Sequence, residues 1–140
     1  MDDPFNLARF VSAQEAVYPQ VLAELRDEEK RSHWIWFIFP QMRGLGFSSQ
    51  SEFYGIGSLE EAVAYWQHPL LGPRLIECTR LVNAVEGRTI DRILGCPDDL
   101  KFRSSMSLFA RAAAEPAIFK EGLRKYFGGE PDPRTLALLG

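Results

Sequence analysis

Apolar side chains recur along most of the chain at intervals of three and four residues, the period of a helix with one buried face. Leu59, Ala62 and Val63 follow this spacing. Ser58 precedes them and Glu61 lies three residues further on, a pair that can cap the free backbone N–H groups of a first helical turn. Similar patterns predict helices over 5–11, 17–25, 32–39, 69–87, 98–114, 116–129 and 133–139, with a short helical turn over 89–95.

Proline, aspartate and glycine mark the ends of several of these helices. Pro69 and Pro116 are predicted at the first helical position, where the missing N–H of proline is harmless. Asp132 is predicted to cap the last helix, because aspartate is favoured at helix N-termini. Gly87 and Gly95 are predicted to end the segments before them, as glycine often does.

The fold class follows from these elements. No segment shows the apolar–polar alternation, flanked by hairpin turns, that marks a strand. The sequence contains no internal repeat, low-complexity tract or dividing linker, and 140 residues suffice for one core. We therefore predict an all-α fold, a compact single-domain orthogonal helical bundle of about seven or eight helices over residues 1–140.

The densest apolar run, Trp34 to Phe39, has two interpretations from periodicity alone: a buried strand or a buried helix. Ser32 directly follows a charged segment and is a good N-cap, and the neighbouring elements are helical, so a central helix is favoured. The indole N–H groups of Trp34 and Trp36 need partners when buried, which often places such residues beside a polar pocket.

Charge and composition narrow the function. The net charge is −3 and the pI is near 5.4, so we expect no affinity for a nucleic acid polymer or a membrane. The apolar runs are too short to span a bilayer, and the acidic N-terminus does not resemble a secretory signal. Cys78 and Cys96 lack paired spacing, which predicts free thiols in a reducing, cytoplasmic environment. Because His33 and His68 are the only histidines, a metal site is not predicted. No cofactor is predicted either. The sequence does not indicate an oligomeric state.

Four blocks carry a family resemblance: FNLARFVSAQ, KRSHWIWFIFPQMRGLG, YGIGSLEEAVAYWQHPLLGPRL and DDLKFRSSMSLF. With these blocks in this order, the chain resembles, from Phe5 to about Phe127, a bacterial and fungal family filed as domain of unknown function 1810. The resemblance implies a compact all-helical fold of unproved activity. Members are often mislabelled calpastatin, a label that does not fit, because calpastatin is disordered whereas this chain is rich in aromatic and core residues.

The polar residues of these blocks indicate one candidate pocket. Lys101 lies three residues before Ser104 and four before Ser105, so the three can share a helix edge. Arg103 adds positive charge, and the glycines of RGLGFSSQ let the backbone approach a ligand or hold an anion. Taken singly, each residue also fits an ordinary role, such as a solvated cation, a capping histidine or a structural turn. We predict a pocket for a small anionic or polar ligand, lined by His33, Trp36, Gln41, Gly44, Gly46, Ser48, Tyr54, Arg74, Lys101, Arg103, Ser104 and Ser105.

The block order is also loosely similar to that of helical N-glycosidases, which act on nucleotide-like and ADP-ribose-linked substrates. That similarity implies that Trp36 or Tyr54 stacks on a base or sugar. It also implies that Lys101 and Arg103 hold phosphate. The carboxylates available for acid–base chemistry are also suited to capping helix N-termini; they are Glu60, Glu61 and Asp99.

Two further classes of function remain open. A Ser–His–Asp triad has candidates in Ser104, His33 and Asp99, but no nucleophile-elbow motif supports it. The alternative to a ligand-binding protein is a non-catalytic protein–protein interaction module. A ligand binder should gather its polar residues around a concave pocket, whereas an interaction module should expose an apolar patch of several hundred square ångströms. Aromatic residues that could contact a protein partner are Trp66, Tyr65 and Phe127.

Overall fold

Helices make up nearly all of the regular structure in the computed structural model, which describes residues 2–140. Across these residues the one β pairing is an isolated parallel bridge between Met42 and Ile56. The all-α prediction is confirmed, with ten helices in the described chain rather than seven or eight. In chain order they are α1 (Ala8–Glu15), α2 (Tyr18–Arg26), α3 (Ile35–Ile38), α4 (Ser49–Phe53), α5 (Leu59–Gln67), α6 (Leu71–Asn83), α7 (Ile90–Leu94), α8 (Asp98–Ala112), α9 (Ala117–Phe127) and α10 (Pro133–Leu139).

The helix α3 differs from the prediction at its N-terminus. It begins at Ile35 with Trp34 at the N-cap, so the prediction that Ser32 caps it is wrong. The physical reason is a tertiary contact: the Ser32 hydroxyl donates a hydrogen bond of 2.6 Å to a carboxylate oxygen of Glu24 instead. The apolar run is nonetheless central, and Ile35 and Phe39 are fully buried.

Side-chain caps explain two further differences in helix boundaries. In the segment predicted as a glycine loop, the Ser48 hydroxyl accepts a hydrogen bond of 3.1 Å from the backbone N–H of Ser51 and so begins α4. The helix α6 begins at Leu71 rather than at Pro69, and the Nδ1 atom of His68 accepts hydrogen bonds from the backbone N–H groups of Leu70, the N-cap, and Leu71. The predicted capping roles of Ser58, for α5, and Asp132, for α10, are confirmed.

The helix α8 lies at the centre of the fold, in contact with α3, α5, α7, α9 and α10. Its aromatic residues pack edge to face or tilted against those of the surrounding elements, the geometry that aromatic pairs prefer. The ring centroids of Phe102 and Phe39 are 5.0 Å apart, and those of Phe109 and Tyr65 are 5.4 Å apart. Because its inner face is fixed in the core, the outer face of α8 presents its polar residues in defined positions.

One buried ion pair fixes the segment that precedes α5. Arg9 contacts Glu61 at 2.7 Å, and both side chains are less than one-tenth exposed. The same guanidinium donates hydrogen bonds to the backbone carbonyls of Phe53 and Gly55. Arg9 therefore holds the chain that returns from α4 toward the loop over residues 41–46.

Candidate functional site

A cleft of about 390 Å³ opens beside the N-terminal half of α8. One wall is the outer face of α8, the second is the loop over residues 41–46, and the third is the start of α10. The cleft combines three cationic side chains, one carboxylate, an amide and a hydroxyl with a few apolar groups. Its lining residues are Gln41, Leu45, Gly46, Pro97, Leu100, Lys101, Arg103, Ser104, Asp132 and Arg134.

Lys101 brings a charge that is not fully neutralised. Its ammonium group lies 5.1 Å from the ring centroid of Trp36 and 3.6 Å from a carboxylate oxygen of Asp98. That carboxylate is held more closely by Lys30, at 2.7 Å. Two lysines thus share one aspartate, and the cluster keeps a net positive charge beside the cleft.

Asp132 is the carboxylate of the cleft, and its oxygens accept hydrogen bonds from neighbouring protein groups. It accepts hydrogen bonds of 2.8 Å from the Ser104 hydroxyl and 2.7 Å from the Thr135 hydroxyl. The backbone N–H of Arg134 donates a third, at 3.2 Å, which caps α10. Burial would raise the pKa of Asp132, but these hydrogen bonds outweigh it and hold the pKa below its ordinary value. The group is therefore an anion at neutral pH and a weak base.

The two arginines of the cleft have different surroundings. The Arg103 guanidinium donates hydrogen bonds to the backbone carbonyls of Glu130 and Pro131, which fixes the segment before α10. Arg134 is exposed and makes one long hydrogen bond, 3.4 Å, to the carbonyl of Leu45. Arg134 is consequently the more available of the two for a bound anion.

Gln41 lines the cleft, and the residue is 8 % exposed. Its side-chain amide is one of the polar groups that the cleft offers to a ligand. Next to it, a cavity of about 10 Å³ is shared by Gln41, Trp36 and Tyr54. The indole N–H of Trp36 is buried and lacks a partner in the described part of the chain. Buried polar groups are nearly always paired, so the unpaired indole N–H of Trp36 indicates a place for a ligand or water atom beside Gln41.

Most of the predicted site residues on α8 and in the loop over residues 41–46 meet at this cleft. Gln41, Gly46, Lys101, Arg103 and Ser104 line it directly. Two more of the predicted residues, the aromatic pair Trp36 and Tyr54, line the small cavity behind Gln41.

Five other predicted residues lie elsewhere, each for a local reason. His33 is exposed and lines neither this cleft nor the small cavity behind Gln41. Gly44 takes the left-handed backbone conformation of a turn, and Ser48 caps α4. Arg74 lies over the ring of a tyrosine, with 4.4 Å between its guanidinium carbon and the ring centroid. Ser105 is fully buried, and its hydroxyl is without a partner among residues 2–140.

The carboxylates implied by the N-glycosidase similarity are also outside the cleft. Glu61 is committed to Arg9 and to the backbone N–H of Gly57. Glu60 is exposed on α5, and Asp99 accepts a hydrogen bond from the next residue on α8. The structure does not support the Ser–His–Asp triad, because neither a histidine nor Asp99 lines the cleft. The Ser104 hydroxyl donates a hydrogen bond to Asp132 instead.

Sequence reasoning did not select Leu45, Pro97, Leu100, Asp132 and Arg134, which complete the cleft. The last two are about thirty positions from Lys101 and reach it because α10 folds back against α8. The available signal was local: the predicted capping role of Asp132 placed an ionised carboxylate at a helix start. For the interaction alternative, Tyr65 is fully buried and is therefore wrong as a partner contact.

Two other features, a metal site and a membrane-spanning helix, are not found within residues 2–140. Over residues 2–140, no three His, Cys, Asp or Glu side chains come close enough together to hold a metal ion. No helix there combines the length and apolar character needed to cross a membrane.

The chain matches a protein family and a solved structure along nearly its whole length. The family model described as "Protein of unknown function (DUF1810)" matches residues 4–139. The crystal structure of the conserved hypothetical protein Rv1873 from Mycobacterium tuberculosis is 61% identical to the chain, with a TM-score of 0.96, and the match covers 98% of each chain. No curated protein matches significantly.

Proposed function

Since the chain belongs to the DUF1810 family, whose description assigns no activity, we propose from the cleft itself that it binds a small phosphate-bearing ligand. The observation that carries the proposal is that the partly neutralised Lys101 shares the cleft with the side-chain amide of Gln41. An amide and a cation in one cleft suit a ligand with a polar body and an anionic group.

The charge arrangement favours a phosphorylated sugar or nucleotide over a simple anion. Lys101 and Arg134 lie on different elements of the cleft and can both reach a phosphate. Asp132 is ionised beside them, and a carboxylate repels a phosphate but accepts hydrogen bonds from sugar hydroxyls. A ligand with phosphate at one end and hydroxyls at the other satisfies both groups.

The size of the cleft agrees with such a ligand. Its volume of about 390 Å³ lies within the range of roughly 300–1,000 Å³ that is usual for small-molecule sites. A sugar phosphate or mononucleotide fits this space, whereas a larger ADP-ribose-type ligand would extend out of its open side.

Binding is better supported than glycosidic hydrolysis. Glycoside hydrolysis ordinarily uses two carboxylates on opposite sides of the bond that breaks. The lining of the cleft offers one, Asp132, whose lowered pKa makes it a poor general acid and whose oxygens already accept three hydrogen bonds. We therefore propose a ligand-binding protein without an N-glycosidase activity of its own.

Calorimetric titration with ribose 5-phosphate, AMP, ADP-ribose and unphosphorylated adenosine tests the proposal. The phosphorylated compounds should bind, and adenosine should bind much more weakly. Lys101→Met keeps the apolar stem of the side chain but removes a charge-assisted hydrogen bond, so affinity should fall about 10- to 100-fold. Gln41→Leu should also lose affinity, because it removes the amide that would form hydrogen bonds with the polar body of the ligand.

Lys120→Met on α9 is the matched control, since Lys120 is exposed and lies outside this cleft. It should bind every ligand as the wild type does. Equal affinity for adenosine and AMP, or unchanged affinity in Lys101→Met, would contradict the assignment of Lys101 to phosphate. If none of the four compounds binds, the ligand proposal fails and the interaction module becomes the better hypothesis.

A further inference from the structure

A second groove runs between α8 and α9 on the far side of the segment over residues 130–132. Its volume is about 430 Å³. Gly128 ends α9 in the left-handed conformation, and Gly129 donates a hydrogen bond to the carbonyl of Leu123, so the chain turns here and closes one end of the groove. The residues that line it are Ser107, Ala110, Arg111, Lys120, Leu123, Arg124, Gly129, Pro131 and Leu136.

Each of the two helices contributes basic side chains to the groove. Arg111 lies at the outer edge of α8, four residues after Ser107 and one after Ala110. On α9, Lys120 and Arg124 are one turn apart, so they lie along the same face. The floor is apolar, formed by Ala110, Leu123 and Leu136, and the three cations form its rim.

The rim cations have no acidic partners. Neither Arg111, Lys120 nor Arg124 lies within 4.0 Å of a carboxylate oxygen of residues 2–140. Among the other exposed cations of residues 2–140, Arg31 and Arg43 each contact a neighbouring carboxylate, whereas Arg134 does not. None of the residues that line the groove is acidic. What distinguishes the rim is that three cations without an ion pair in the described chain line one groove.

This local charge opposes that of the whole chain. Residues 100–140 contain seven Lys or Arg and four Asp or Glu, whereas residues 1–99 contain nine and fifteen. An acidic protein with one basic groove attracts acidic partners to that groove and repels them from the rest of its surface.

We propose that the α8–α9 groove binds an acidic peptide segment of a partner protein, with one leucine- or phenylalanine-sized side chain seated on the apolar floor. Carboxylates that flank this side chain meet the cations on both helices. The floor distinguishes such a peptide from nucleic acid, because no aromatic residue lines the groove to stack on a base. The site is separate from the cleft of Gln41 and Lys101 and does not depend on the function proposed for it.

Fluorescence polarisation with a fluorescein-labelled peptide of sequence DEDELFDED tests this proposal on the full chain. A second peptide, DEDEAADED, keeps the charge and removes the apolar anchor. The first peptide should bind, and binding should weaken as salt is raised. The second should bind at least about tenfold more weakly, because the apolar side chain is lost from the floor.

Charge reversal locates the site. Lys120→Glu and Arg124→Glu lie at exposed positions, so they should fold like the wild type while weakening the first peptide by at least about tenfold. Lys101→Met, in the other cleft, is the control and should leave peptide binding unchanged. Equal binding of the two peptides, no effect of the reversals, or tighter binding of a single-stranded oligonucleotide than of the first peptide would each overturn the proposal.

Discussion

Replacing Glu24 with glutamine tests how the segment over residues 31–34 is held against α2. The Glu24 carboxylate is fully buried and accepts hydrogen bonds from the Ser32 hydroxyl, the Trp34 indole and the side chain of Gln20. It also accepts two from backbone N–H groups. Burial would raise its pKa, but the hydrogen bonds, that of Ser32 foremost, lower the pKa to about 2. Glutamine has nearly the same shape and lacks the charge that these donors stabilise.

The magnitude follows from the linkage between proton binding and folding. The ordinary pKa of the group is 4.5, and each pH unit of difference is worth about 1.4 kcal/mol. Ionised Glu24 therefore contributes about 3 kcal/mol to the free energy of unfolding at neutral pH. Because the folded state has the lower pKa, this contribution is complete above about pH 5 and is lost as the pH falls from 4.5 toward 2.

Urea unfolding of the wild type and of Glu24→Gln from pH 7 to pH 3 measures this effect. The wild type should be more stable at neutral pH, and the difference should narrow by about 2 kcal/mol by about pH 3. Glu60→Gln is the control, because Glu60 is exposed on α5, and its difference from the wild type should stay small at every pH. A difference for Glu24→Gln that does not change with pH would refute the assignment of the stabilisation to the charge of Glu24.

Three further predictions concern other buried polar groups. Arg9→Met should lower the free energy of unfolding by about 3–5 kcal/mol in urea, because it leaves the buried Glu61 carboxylate without its cation; a loss below about 1 kcal/mol would contradict this account. Ser105→Ala should leave stability unchanged or raise it by up to about 1 kcal/mol, because the Ser105 hydroxyl is buried without a partner in the described chain. Ser104→Ala should lose about 1 kcal/mol, since it removes the hydrogen bond to Asp132, and equal stabilities of the two variants would show that this bond contributes nothing.

The helices could be predicted where their signals are local. Ser58 and Asp132 cap α5 and α10 as predicted, because a cap acts within a few residues of its own sequence. Ser32 also looks like a cap in the sequence, but its hydroxyl donates a hydrogen bond to Glu24, eight positions away. A cap motif covers only a few residues and cannot predict this contact. The start of α6 was missed for a related reason: the His68 ring accepts hydrogen bonds from the backbone N–H groups of Leu70 and Leu71, whereas the prediction began the helix at Pro69.

The candidate site could be predicted to the extent that it lies on one helix. Lys101, Arg103 and Ser104 reach the cleft together because helical spacing fixes their relative directions. Spacing alone did not separate Ser104 from Ser105, since both lie one turn from Lys101. In the structure Ser104 faces the cleft and Ser105 the core. Asp132 required the path of α10 relative to α8, which depends on tertiary packing and has no local signal.

The serines of α8 show why polar residues in a sequence block need not be ligand contacts. The Ser104 hydroxyl donates to the Asp132 carboxylate, and the Ser107 hydroxyl accepts from the backbone N–H of the same residue. Together they hold the segment over residues 130–132 against α8, and this segment separates the two clefts. Apolar residues at these positions would remove one donor from the Asp132 carboxylate and the acceptor of its backbone N–H. The serines are thus accounted for by architecture, whereas Gln41 and the basic rim of the α8–α9 groove line open cavities and so remain the groups that a ligand or an acidic peptide would contact.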